Sequence, residues 1–213
     1  MPRVYTLTKS TRGKTYNCAK CGQPITAGQV YHDWTRRFGR SGITYRQHAS
    51  CGRPTPTQLS SRKTAQIEEV LMGISFDDIG YQLTGDQAME ADVVVELGDV
   101  VDQCREVLQQ VADVAREVGE EYQAGVDNMP EGLQQGPTGE AMTAVAEELE
   151  QWAGDLEEGP TIANTVVDLP DPAEHDNDEG AWRQAAQDAI DEAVAEIVEE
   201  ALGLTEGMPE YQG

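Results

Sequence analysis

Beyond Lys63 this chain contains no lysine and only three arginines, Arg105, Arg116 and Arg183. A stretch so poor in cations cannot grip a phosphate backbone, because that affinity grows with the number of phosphates neutralised. Residues 1–63 are the reverse, with 12 Lys and Arg and one acid, Asp33, for a net charge of +11. Residues 64–213 carry 38 acids and a net charge of −35, which makes up the chain total of −24. Nucleic-acid contact is therefore expected from the basic head, which attracts phosphate, while the acidic body repels it.

Other scarcities narrow the class. No apolar run approaches the length of a membrane span and no secretory leader stands at the start, so an intracellular, cytoplasmic protein is expected. Only four cysteines are present, and three lie between positions 18 and 51, so those three cannot all pair as disulfides. No phosphate-binding glycine loop and no nucleophile beside a base is found. The paired acids Glu120-Glu121 and Glu147-Glu148 sit on helix faces without a basic or apolar setting of the kind an active site provides. Neither an enzyme nor a small-molecule substrate is expected. The acid itself has two simpler explanations, a solvated helical surface or a high-salt or GC-rich source, but neither explains why the head escapes it.

What is present centres on Cys18-Ala-Lys-Cys21, twenty-six residues, and His48-Ala-Ser-Cys51. Each pair has the i, i+3 spacing that lets two side chains reach one ion. Three thiolates and an imidazole at such spacing point to one closed structural zinc site that holds a fold and leaves no position for a reacting water. Gly22 and Gly52 follow the ligand pairs, where a metal knuckle needs an unusual backbone conformation. His32 is the second choice as a ligand.

Between the pairs, Val30–Phe38 is rich in β-formers. Gly39-Arg-Ser-Gly42 and Ile43–Gln47 follow, which predicts a hairpin with a glycine-bounded turn. Alternation sets Val30, His32, Trp34, Arg36 and Phe38 on one side, with Trp34 and Phe38 as core or, alternatively, as base-stacking aromatics. Arg36, Arg37, Arg40 and Arg46, with Lys14 and Lys20, form the candidate nucleic-acid surface, because each guanidinium can fork onto phosphate oxygens.

The ligand pattern with Ile25-x2-Gly28 and Tyr45-x2-His48-x2-Cys51 resembles the CCHC finger of poly(ADP-ribose) polymerases, which bind broken DNA ends. It also resembles treble-clef or LIM half-modules, many of which bind proteins. Ile25-x2-Gly28-x2-Tyr31-x2-Trp34-x-Arg36-x-Phe38-Gly39, followed by Pro56-x-Gln58-Leu59-Ser60, is similar to a family of uncharacterised bacteriophage proteins. That similarity covers the head and reaches the Met129–Gly139 loop. It carries no established activity, and it implies a place inside an infected host cell.

The expected fold class is α+β, mostly α, with a zinc-stabilised β-hairpin finger, a long antiparallel helical hairpin and a C-terminal helix. The segments are a finger domain at 1–56, a connecting helix and linker at 57–83, and a hairpin at 84–157. An acidic linker at 158–180, a terminal helix at 181–204 and a tail at 205–213 complete the chain. One helix is predicted over Thr57–Met72 and a long one over 86–124. The long one carries a heptad seam, coiled-coil-like, from Val93, Leu97 and Val100 through Cys104 to Val118, with Val94, Val101, Leu108, Ala115 and Tyr122 beside it. Cys104 reads as a small buried side chain and His175 as a solvated one.

Two functions follow. In the first, a non-catalytic accessory protein binds DNA or RNA through residues 1–63 and proteins, or itself, through the helical body. In the second, an adaptor uses a purely structural finger to dock a protein. A narrower version has the acidic body imitate nucleic acid or shield the head.

Overall fold

A computed structural model describes residues 2–9, 15–38, 41–60, 62–84, 89–90, 92–161 and 165–209, with the backbone alone at Arg37, Phe38 and Ser41. The chain is α+β and mostly α, and it divides into two compact units, Met1–Glu69 and Val70–Gly213.

In the first unit, β1 (Tyr5–Thr8), β4 (Val30–Phe38) and β5 (Ser41–His48) form an antiparallel sheet in the order β1-β4-β5. The strands β2 (Tyr16–Asn17) and β3 (Pro24–Ile25) make a separate short ribbon. β1 was missed in the sequence, although Tyr-Thr-Leu-Thr has the β-branched and aromatic character of a strand. β5 begins at Ser41 rather than Ile43, and its register pairs Phe38 with Ser41 and Asp33 with Arg46.

On one face of this sheet Trp34 is fully buried and stacks on Tyr45, with ring centroids 5.8 Å apart. Its indole N–H donates to the Gln58 carbonyl at 3.1 Å, which draws α1 (Pro56–Leu59) onto the sheet. The single helix expected over Thr57–Met72 is in fact two, α1 and α2 (Ala65–Leu71). Ser60 breaks it, with extended φ −123° and ψ 152° and a hydroxyl that accepts from the Arg62 N–H at 3.1 Å. Serine competes in this way with the helical backbone pattern.

The second unit is built on α3 (Gly98–Asp127) and α5 (Pro137–Glu158), which pack along each other, with the single turn α4 (Glu131–Gln134) in the connection. α3 starts at Gly98, not near 86, because the run Val93-Val94-Val95 is β-branched and goes into a strand. β6 (Val94–Glu96) pairs with β7 (Val166–Asp168), and the Leu169 N–H donates to the Val93 carbonyl at 2.9 Å. The segment expected as an acidic linker, 158–180, supplies β7, buries Leu169, and forms a 3-10 turn at Pro172–His175. His175 in that turn is half-buried.

On α3 the buried stripe runs Cys104, Leu108, Val111, Ala115, Val118, Tyr122, Val126, while Val107 and Val114 are only half-buried. A helix of 3.6 residues per turn drifts off a strict seven-residue seam, so the stripe falls between the two expected lines. Cys104 is buried on it, and burial pushes its thiol pKa up. α6 (Glu179–Glu206) folds back on α3 and α5 through Trp182, Ala186, Ile190, Val194, Ile197 and Ala201. Among the described residues, no helix is long and apolar enough to cross a membrane.

Candidate metal centre

Cys18 leaves β2, and Cys21 closes the turn between β2 and β3, where the Gly22 N–H donates to the Cys18 carbonyl at 2.9 Å. Gly22 has φ +73° and Gly52 φ +90°, values in the left-handed region that side chains resist. His48 ends β5, and Cys51 ends the 3-10 turn Ala49–Cys51 that follows it. The hairpin carries this second pair back over the first: the Ala19 N–H donates to the Arg46 carbonyl at 2.7 Å and the Lys20 ammonium to the Cys51 carbonyl at 2.9 Å.

The four ligand atoms all lie within 4.8 Å of one another. Cys18 Sγ is 3.9 Å from Cys51 Sγ, and His48 Nδ1 is 3.5 Å from Cys21 Sγ and 3.9 Å from Cys51 Sγ. A tetrahedral ion with metal–sulfur bonds of about 2.3 Å and metal–nitrogen bonds of about 2.0 Å has edges of about 3.8 Å for S···S and about 3.6 Å for S···N. The observed separations match those edges and are far from the roughly 2.05 Å of a disulfide. The donor set thus fits one metal ion, with Nδ1 as the imidazole ligand. His48 Nε2 is buried and, among the described residues, has no hydrogen-bond partner.

The electrostatics favour thiolate on one side of the cluster. Burial pushes the Cys18 thiol up, but the backbone N–H groups of Cys21, His48 and Lys20 outweigh it and bring the pKa down to about 6. The His48 N–H lies 3.4 Å from Cys18 Sγ. Cys51 goes the other way, to about 11, pushed first by burial and then by its contacts with Cys21 and Cys18. A cation at the centre would remove that mutual repulsion.

His32 is outside the cluster. Its ring Nδ1 sits 3.2 Å from Oγ1 of Thr6, its partner on the adjacent strand β1. Around the ligands, Cys18, Ile25 and Tyr31 form a small buried core with Tyr16 and Cys51 packed against it.

The candidate nucleic-acid residues have different fates. Arg46 lies 3.9 Å over the Tyr16 ring and pairs with Asp33 at 3.0 Å. Arg36 donates to the Thr57 carbonyl at 3.4 Å and helps hold α1, and Lys20 ties the two knuckles together. Lys14, Arg40 and the side chain of Arg37 lie outside the described residues. Sequence reasoning missed Tyr16 and the Asp33–Arg46 pair, which needed the hairpin register. No family model, curated protein or solved structure matches the chain.

Proposed function

We propose that residues 1–69 are a zinc-braced, non-catalytic module that binds the phosphate backbone of DNA or RNA, while the acidic unit 70–213 serves contacts with proteins. The observation that carries the zinc reading is the near-tetrahedral spacing of three sulfurs and His48 Nδ1. Three thiolates and an imidazole are a closed structural set for zinc, so the ion would brace the knuckles and hold no reacting water. The charge of +11 over residues 1–63 supports the phosphate reading, and Arg3, Lys20, Arg53 and Arg62 are exposed. The test is a titration of a DNA duplex and a single-stranded RNA with the full zinc-loaded chain across salt. The logarithm of the binding constant should fall linearly with that of salt. A flat salt response, or no binding at about 50 mM salt, would sink the reading.

One observation favours a second reading, a protein-docking finger. Tyr5 and Leu7, two apart on the edge strand β1 and so on one face of it, are exposed apolar residues. Salt-insensitive capture of a protein, lost on replacing Leu7, would support this reading.

A further inference from the structure

The connector at residues 74–84 lies along the outer side of α6. Gln187 holds its far end as a neighbouring strand would, its amide oxygen accepting from the Leu83 N–H at 3.0 Å and its amide nitrogen donating to the Tyr81 carbonyl at 2.9 Å. Phe76, 8% exposed, anchors the near end. Between connector and helix run two grooves of about 890 and 370 Å³ that share Phe76 and Val198. Together they follow α6 from Gln187 to Thr205, about 27 Å at 1.5 Å per residue, or five helical turns.

Apolar side chains share the walls with polar ones: Ile79, Val194 and Val198 stand beside Gln82 and Gln187 in the larger groove, and Leu71, Ile74 and Leu202 beside Ser75 and Thr205 in the smaller. Leu202 is 47% exposed, which is far from what its side chain would choose alone. The charges are of one sign: Asp77, Asp78 and Asp191 line the grooves, and no lysine, arginine or histidine does so among the described residues. A channel one helix long, part apolar and with an acidic lining, selects a helix that carries apolar residues at i, i+3, i+4 and i+7 and cations beside them.

Among the described residues, no helix of this chain meets that description. α2 has no cation, and the three arginines on the long helices are paired, Arg105 with Asp102, Arg116 with Glu150 and Glu157, and Arg183 with Glu179. The helices of a second copy would therefore bring acid to acid. We infer that the groove between the connector and α6 is a docking site for an amphipathic, lysine- or arginine-bearing helix of a different protein.

The test uses the full chain and a fluorescein-labelled 18-residue helical peptide of leucine and lysine, with leucine at the i, i+3, i+4, i+7 positions, read by anisotropy at 0.15 M salt. Saturable one-to-one binding is expected. It should weaken at least tenfold when the leucines become serine, and at least tenfold in V198D/L202D. The D77N/D78N/D191N variant should lose about fivefold at low salt. Circular dichroism checks that each variant folds, and L202D alone, at its half-exposed position, serves if the double variant does not. The proposal is overturned if the serine peptide binds as tightly as the leucine one, since net charge alone would then explain capture. It is also overturned if a leucine–glutamate peptide binds equally, if the groove variants bind like the parent, or if L202D dissolves a dimer of the parent chain.

Discussion

Asp33 and Arg46 face each other across β4 and β5 at 3.0 Å, so the one acid of residues 1–63 holds one of its arginines. The same guanidinium covers the ring of Tyr16, which packs against the buried core beside the ligands. The Arg46 guanidinium is thus engaged within the finger, by Asp33 on one side and Tyr16 on the other.

Replacing Asp33 with asparagine should separate these contacts. The pair is partly exposed, so the stability loss is expected to be small, about 0.2–1 kcal/mol. If residues 1–69 bind phosphate, D33N should tighten low-salt binding and steepen the salt slope by about 0.9, the effect of one further phosphate contact. Thermal unfolding and a salt titration of parent and variant read both effects.

Purified protein should contain one equivalent of zinc. C21S, or a chelator, should unfold the first unit while the helical signal of residues 70–213 persists, because the helices bury their own core. Metal-linked folding of this kind amounts to about 10–16 kcal/mol in zinc-finger peptides. Far-ultraviolet circular dichroism with metal analysis checks it, and less than half an equivalent of zinc without unfolding on chelation would refute it.

Trp182→Phe should cost about 1–3 kcal/mol. The indole N–H donates to the Pro170 carbonyl at 2.8 Å, and phenylalanine would leave that carbonyl without its donor where Trp182 is fully buried. Trp182→Ala, which also opens a cavity, should cost about 3–5 kcal/mol. Denaturant unfolding of the second unit measures both, and a loss below about 0.5 kcal/mol for the phenylalanine variant would show that the contact is dispensable.

The cluster of Cys18, Cys21, His48 and Cys51 was readable in one dimension because each pair carries its geometry in local spacing. The helices α5 and α6 were readable for a similar reason, since Leu149, Trp152 and Leu156, or Ile190, Val194 and Ile197, repeat with the helical period. The charge division needed only counting. What tertiary structure decided depended on the partner of each residue. Pairing Phe38 with Ser41, rather than with Ile43, shifts the register by two residues and sets Asp33 opposite Arg46 instead of His48. The run Val93-Val94-Val95 continues the apolar spacing of α3, yet it becomes strand because Val166–Asp168, more than seventy residues away, offers its backbone. Local spacing fixes which side chains share an element, whereas the pairing of strands depends on distant backbone groups that no window of neighbouring residues contains.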